Sequence, residues 1–411
     1  MAPCPRQNIV TRRASTTWGP SRGQTSRIGS IRPLSVLLAS IVTLTQVPVA
    51  SAHGTTGSGG LSQGHGVIIA FVGAVILGGF ILLKRTDRIT ATTALYGVFA
   101  GIAITALGAV LFEGLSPDPT YTASSMPFPR AWYQPLALLS GLGIMVASFV
   151  VGWLRWPSRP RYTFLGILMG LWISYPYLLP GLASDTHPLG YAIVLGTLIL
   201  VGYVVWKDAG SVIRAVMRDP VARRFGIGVG VVLALFFVSI TGYLSFFPEE
   251  GFPEEVTVVV LPAIYQLVSW PTLEIAIPHL PFIHIPFFLA LSPGQVIVVG
   301  MLSALIGLNA ALIARHWRVE ERAGMTEGTA GSAAIVGTCT CGCCGPLVAK
   351  IAVLAAGPSI AAPLYWVFVD SASPLSAVFI VGSFVLFTGS LIYSVQAARQ
   401  PDQSAAIIPA D

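Results

Sequence analysis

Residues 66–83 read GVIIAFVGAVILGGFILL and are followed directly by Lys84 and Arg85. The run contains no charged side chain. It approaches the length of about 20 apolar residues that a helix needs to cross the hydrocarbon core of a bilayer. The basic pair at its end is typical of a cytoplasmic loop. This stretch therefore predicts a transmembrane helix whose C-terminal end faces inward.

Similar runs recur along the chain. Of its 411 residues, 54% are apolar and only 10% are charged, whereas soluble domains carry about 25% charged residues. Because lipid cannot satisfy an exposed backbone, each run is expected to be helical. We predict an all-α integral membrane protein with about nine transmembrane helices. The expected spans are 66–83, 90–112, 131–154, 162–182, 188–206, 225–247, 294–314, 330–356 and 374–395.

The charges of the connecting loops predict the orientation. Basic loops follow the first, third, fifth and seventh spans, and acidic residues occupy the alternate loops. By the positive-inside rule the mature N-terminus lies outside and the tail, residues 396–411, is cytoplasmic. We expect a multi-pass protein of a prokaryotic plasma membrane, with the lipid bilayer as its main partner. Tryptophans near span ends are expected at the membrane interfaces, namely Trp132, Trp153, Trp156, Trp206, Trp270 and Trp317.

The N-terminal region has the features of an export signal. Residues 1–52 contain six arginines and no acid, followed by the short apolar run 34–47. Ala50-Ser51-Ala52 is a small-residue cleavage site, so residues 1–52 are interpreted as a signal peptide and leader. An uncleaved signal anchor is the alternative. The six arginines account for the whole net charge of +6, so we predict no nucleic-acid partner.

Cleavage would leave His53 at the mature N-terminus, in a short external tether, residues 53–65. A terminal amine and an imidazole can chelate copper together, and His65 ends the same Gly-rich stretch. The alternative is a flexible tether with two incidental histidines.

Residues 248–293 resist assignment to a membrane helix. An acidic loop is followed by a segment, 256–293, that contains six prolines. One helix cannot run through so many prolines, so we predict a re-entrant hairpin or an interfacial segment. Glu274, His279 and His284 lie in it and are secondary candidates for a site, because ionisable groups at membrane depth are commonly functional.

The predicted order of regions is a leader (1–52), a tether (53–65), a six-helix membrane region (66–247), an acidic loop with the Pro-rich segment (248–293), a three-helix membrane region (294–395) and the tail (396–411). The chain contains no P-loop, GxGxxG or nucleophile elbow. We therefore assign no catalytic residue, and coupling to ATP would require a partner.

Four of the five cysteines lie within the stretch 339–344, which reads CTCGCC. Thiolates are soft ligands for Cu(I), Zn(II) and similar metals, so Cys339, Cys341, Cys343 and Cys344 are the predicted metal ligands. Pro346 can begin a new helical segment, and a helix start favours thiolate at the preceding cysteines. Two alternatives remain open. Cys341 and Cys344 have the C-x-x-C spacing of thiol redox motifs, and small residues can simply pack between membrane helices.

Residues 343–357 begin with Cys-Cys-Gly-Pro-Leu and continue as an Ala/Leu/Val-rich stretch to Gly357. This segment resembles the vicinal-cysteine transmembrane helix of mercuric-ion transporters of the MerT type. The resemblance implies that Cys343 and Cys344 receive a metal ion from an external carrier and pass it inward. Asp370 is a secondary candidate, either as an acid on that pathway or as the cap of the last helix. The predicted function is soft-metal binding or transport, with thiol–disulfide redox chemistry or a structural role as alternatives.

Overall fold

The structure is a computed structural model that describes residues 62–116, 129–178, 187–246, 253–265, 268–278, 286–323, 351 and 373–397. These residues form eight α-helices and a small sheet. The helices are α1 (Gln63–Arg85), α2 (Ala91–Leu115), α3 (Tyr133–Arg155), α4 (Pro160–Leu178), α5 (Pro188–Met217), α6 (Pro220–Ile240), α7 (Pro293–Ala323) and α8 (Pro374–Ala397). A single 3₁₀ turn, Arg130–Trp132, leads into α3.

Eight of the predicted spans coincide with these helices, and the ninth, 330–356, lies outside the described residues apart from position 351. Within the described ranges, seven helices are long and apolar enough to cross a membrane, and the 19-residue α4 is not among them. The structure therefore supports a multi-pass membrane protein without confirming the count of nine. Helices α5 and α7 also run past their predicted ends, so Arg214 and Arg318 lie on helical extensions and not in loops.

Small residues set the spacing between several helix pairs. A Cβ placed on Gly108 of α2 would lie 2.1 Å from the backbone nitrogen of Ala70 on α1, and one placed on Gly226 of α6 would lie 2.6 Å from the carbonyl oxygen of Gly307 on α7. Backbones can approach this closely only where no side chain intervenes, which is how membrane helices gain van der Waals contact in lipid.

The outer surface of the bundle is apolar. Leu154 on α3 is 76% exposed and Ile199 on α5 is 70% exposed. Contiguous apolar surface of this kind is unusual in soluble monomers and fits contact with lipid. Four of the tryptophans predicted as interface anchors are exposed, namely Trp132, Trp153, Trp156 and Trp206. Trp270 and Trp317 are buried, so their anchoring role was predicted wrongly.

The segment predicted as a re-entrant hairpin or interfacial segment contains most of a four-stranded antiparallel sheet, which corrects the all-α prediction. Its strands are β1 (Leu244–Ser245), β2 (Thr257–Tyr265), β3 (Val268–Ile277) and β4 (Phe287–Leu291), in the order β1-β4-β3-β2. Leu244 and Ser245, which the predicted span 225–247 had placed in a helix, form β1 of this sheet, and α6 ends at Ile240.

The prolines that argued against a helix are compatible with strands. A proline within a sheet removes a ladder hydrogen bond, so it is tolerated at edges and beyond the end of pairing. Pro262 lies on the edge strand β2, opposite Pro271 of β3. Pro271 lies beyond the last pair that β3 makes with β4, Leu273 with Leu291. At each proline the strand therefore pairs with a neighbouring strand on one side only. Neither proline breaks the hydrogen bonding of a strand that has partners on both sides.

The sheet packs against the first residues of α5 and α7. The hydroxyl of Tyr191 on α5 donates a hydrogen bond to the carbonyl of Ser269 on β3. The indole of Trp270 lies edge-on to the Tyr191 ring, with centroids 4.9 Å apart, and packs directly against Gly294 at the start of α7. The sheet thus covers the helix ends opposite to those that carry the basic residues Arg214 and Arg318.

Candidate functional site

Most of the predicted site lies outside the described residues. This applies to Cys339, Cys341, Cys343 and Cys344, and to His53, His279, His284 and Asp370. Among the residues that are described, no three His, Cys, Asp or Glu side chains are grouped as metal ligands. The cysteine site therefore stays a prediction from the sequence.

His65 has a local structural contact at the start of α1. Its Nδ1 accepts a hydrogen bond from the backbone N–H of Ser62 at 3.1 Å and lies 2.9 Å from the Ser62 hydroxyl. Together these groups form a reciprocal capping box, which satisfies backbone donors that a helix start leaves free. His65 thus helps to begin the first membrane helix, and its predicted role in copper binding stays a prediction.

Glu274 lies on β3, opposite Val259 of β2 and Ala290 of β4. It is half-buried within the sheet. Its surroundings are therefore strands at one end of the bundle, and not the re-entrant hairpin that made it a candidate.

The opposite end of the bundle is held by half-buried ion pairs. Arg161 at the start of α4 donates from both Nε and Nη2 to Asp208 of α5, which also accepts from Tyr162 at 2.9 Å. The hydrogen bond to Asp208 raises the pKa of the Arg161 guanidinium, against the opposing effect of burial. Two-point pairing of this kind fixes geometry as well as charge.

A second ion pair joins α6 to α7 at the same end. Arg318 donates to Asp219, which is also the N-cap of α6 and accepts from the backbone N–H of Val221. Nearby, Glu321 of α7 accepts from the backbone N–H of Ala91 at the start of α2. These bonds join α2, α6 and α7 where the sequence places its basic residues.

The described part of the bundle contains a cavity of about 260 Å³ among α1, α2, α6, α7 and α8. Most of the side chains that line the cavity are apolar, and three of them are aromatic, namely Phe225, Trp317 and Phe387. The side chains that line an empty apolar space lose dispersion contacts on that side, so an unfilled space of this size is unfavourable. We therefore expect apolar atoms of a ligand or lipid to occupy it.

Asn309 is the main polar group in the cavity wall. It lies near the midpoint of α7 and is 7% exposed. Its Nδ2 donates to the carbonyl of Leu305 at 2.9 Å and to that of Phe387 on α8 at 3.2 Å. Its Oδ1 has no hydrogen-bond partner within the described residues. Asn309 was not among the site residues predicted from the sequence, although a carboxamide in an apolar span is a signal that could have found it.

A second set of buried polar atoms lies beneath the sheet. Both side-chain polar atoms of Gln295 and the indole N–H of Trp270 lack partners among the residues described. Gln295 is 1% exposed and lies in the first turn of α7, where its backbone N–H is capped by Ser292. Buried polar groups are normally hydrogen-bonded, so it is unusual that three such atoms at the junction between the sheet and the bundle lack partners among the described residues.

The two ends and the middle of the bundle thus differ in chemistry. Ion pairs join the helices at the basic end, an apolar cavity lies between that end and the helix midpoints, and polar atoms without partners in the described part of the chain lie under the sheet. Comparison with known proteins identified no relative. No family model, no curated protein and no solved structure matches the chain.

Proposed function

We propose that this membrane protein binds a soft metal ion and transports or senses it, with Cys339, Cys341, Cys343 and Cys344 as the ligands. The observation that carries the proposal is the density of thiols, four within the stretch 339–344 and one other cysteine, Cys4, in the whole chain. Single buried cysteines often serve only as small hydrophobic residues, and chance burial rarely places four of them within six residues.

The chemistry of the cluster selects the cargo. Thiolates bind Cu(I), Zn(II) and Hg(II) in preference to hard cations such as Mg²⁺. The vicinal pair Cys343-Cys344, followed by Gly345 and Pro346, is the part that resembles the mercuric transporters. By that likeness an external carrier delivers the ion to this pair. We propose His53, Asp370 and the Pro-rich segment as secondary sources of ligands on their own chemistry, and not on that likeness.

The architecture supports a location in the membrane. Seven described helices can span a bilayer, and large apolar side chains cover their outer surface. We propose the orientation with the basic helix ends in the cytoplasm and the sheet outside, in the plasma membrane of a prokaryote. Positively charged segments are retained on the cytoplasmic side during insertion, which is the reason for this choice.

Metal analysis of the purified full-length protein tests the proposal. The protein is loaded with Cu(I), Zn(II) or Hg(II), desalted, and assayed for bound metal and for stability. We expect bound metal in the wild type and a loss in Cys343→Ser/Cys344→Ser, with Cys339→Ser/Cys341→Ser as the matched pair. A wild type that retains no metal, or a four-serine variant that retains as much, would overturn the metal function.

The spacing of Cys341 and Cys344 favours a second candidate, a thiol–disulfide redox protein. Alkylation with and without reductant separates the two functions. Four thiols that are alkylated freely under oxidising conditions exclude the redox function, whereas a reductant-dependent pair supports it. This assay reads the thiols directly and does not depend on a metal.

A further inference from the structure

We propose that the sheet contacts the lipid bilayer through its outer face, and that this face inserts aliphatic side chains among lipids without net charge. The outer face is the side of the sheet that points away from the bundle. The inference rests on the membrane location of the helices and is independent of the cysteine cluster. Three features carry it, namely the polarity of the two faces, the continuation of the outer face onto the lipid-facing side of α7, and the charges around the sheet.

The strand register sorts the side chains of the sheet into two faces, because residues that pair across an antiparallel ladder point to the same side. Trp270, Thr272 and Ala276 of β3 are buried and belong to the face that packs on the bundle. The alternate residues of β3 point outward. With their partners on the other strands they form two rows across the outer face, namely Val258–Ile275–Leu289–Leu244 and Val260–Leu273–Leu291.

The polarity of the two faces is the reverse of that in a sheet exposed to water. Every residue of the two outer rows is aliphatic, and Val258 and Val260 are 61% and 65% exposed. The polar side chains of Thr257, Thr272 and Glu274 lie on the opposite face. An antiparallel sheet with one face in water normally carries polar residues on that face. The outer face therefore requires an apolar environment.

The outer face continues onto the lipid-facing surface of the bundle. Leu291, at the end of β4, is 38% exposed, and α7 begins two residues later at Pro293. Val296 in the first turn of α7 is 58% exposed. At the other end of β4, Phe287 packs against the exposed Phe246, with ring centroids 5.7 Å apart. This continuous apolar surface is the arrangement expected of a sheet that lies on the membrane at the level of the helix ends.

The edge of the sheet limits how deeply the sheet can insert. Strand β2 is an edge strand, and the backbone groups of an open edge are not tolerated in the hydrocarbon core, where no water can bond them. At the level of the headgroups, water can bond this edge while the aliphatic side chains reach about 5–10 Å into the boundary with the acyl chains. We therefore place the outer face at that boundary.

A second copy of the chain is the competing occupant of the outer face, and the size of the face argues against it. At about 3.4 Å per residue and about 4.8 Å between strands, the nine, ten and five residues of β2, β3 and β4 cover a flat area of about 400 Å². Each partner in a stable complex typically buries about 800 Å². An apolar patch of a few hundred Å² is large enough to mark a membrane-binding surface.

The charges around the sheet determine which lipids it contacts. Residues 225–314 contain five glutamates and no lysine or arginine. Two of these glutamates, Glu254 and Glu255, lie directly before β2 and are exposed. Attraction to anionic lipids requires basic residues near the membrane surface. The contact is therefore hydrophobic, and lipids without net charge are its partners.

Site-specific photocrosslinking of the full-length protein in phosphatidylcholine nanodiscs tests the proposal. p-Benzoylphenylalanine replaces either Val260 on the outer face or the neighbouring Leu261, which is 50% exposed and belongs to the opposite face. The photoactivated group inserts into nearby C–H bonds, so mass spectrometry distinguishes lipid adducts from crosslinks to a second copy. We expect at least roughly threefold more lipid adduct at position 260 than at position 261, because successive side chains of a strand point to opposite faces.

A second pair of positions keeps the test decisive if one variant fails to fold. Val258 lies on the outer face and Glu255 is exposed before the strand, so position 258 should give the higher yield of lipid adduct. Replacing part of the phosphatidylcholine with phosphatidylglycerol should leave the yield at position 260 unchanged or lower it. The proposal is overturned by equal lipid yields at positions 260 and 261, by crosslinks to a second copy in place of lipid adducts, or by a several-fold rise with the anionic lipid.

Discussion

Gly73→Ala is expected to destabilise the α1–α2 pair, and Gly78→Ala on the same helix is its matched control. A Cβ on Gly73 would lie 2.4 Å from the backbone nitrogen of Thr105 and 2.9 Å from the carbonyl oxygen of Gly101, both on α2. Ordinary Cβ contacts begin near 3.4 Å, so the two helices must separate by about 1 Å. A Cβ on Gly78 would meet nothing within 4 Å.

The magnitudes follow from two opposing effects. Alanine is favoured over glycine in a helix by about 1 kcal/mol, and both variants gain this. Overpacking against a rigid backbone costs about 1–3 kcal/mol, and only Gly73→Ala incurs it. We therefore expect Gly78→Ala to be neutral or slightly stabilised. Gly73→Ala should be less stable than Gly78→Ala by about 1–3 kcal/mol.

The assay is equilibrium unfolding of the purified protein in mixed micelles with increasing SDS, supported by thermal melting of each variant. Because the two substitutions are chemically identical and lie on one helix, differences in detergent binding and helix propensity cancel. Equal stabilities of the two variants would refute the close approach of α1 and α2 at Gly73. A more stable Gly73→Ala would refute it equally.

Two other substitutions test the basic end and the junction beneath the sheet. Asp219→Ala removes both the N-cap of α6 and the acceptor of Arg318, so we expect a loss of about 1–3 kcal/mol in the free energy of unfolding. Asp219→Asn, which retains a capping side chain, should lose less, and equal losses would contradict the capping role. Gln295→Leu replaces a buried side-chain amide that has no hydrogen-bond partner in the described part of the chain, so we expect an unchanged or raised melting temperature. A clear fall in the melting temperature would show that the Gln295 amide has a partner.

The sequence alone determined the membrane class and the positions of most helices. In lipid, the backbone N–H and C=O groups of an uncharged run such as 66–83 can all be paired only if the run forms a helix. Composition and length are therefore sufficient to predict a membrane helix there. The start of α5 at Pro188 was predicted correctly, and proline at the first position favours the backbone geometry of a helix. The same signal at Pro220 was missed, because α6 begins there and not at residue 225.

The sheet and the cavity were decided by tertiary structure. The six prolines of 256–293 correctly argued against a helix, but strand pairing depends on partners such as Leu289, which pairs with both Leu244 and Ile275. No local pattern specified those partners. Similarly, the side-chain amide of Asn309 donates to the carbonyl of Phe387 on another helix, a contact that no local pattern specified. Apolar length is a property of one segment, whereas pairing and hydrogen-bond orientation belong to two segments distant in sequence, and only the folded chain brings them together.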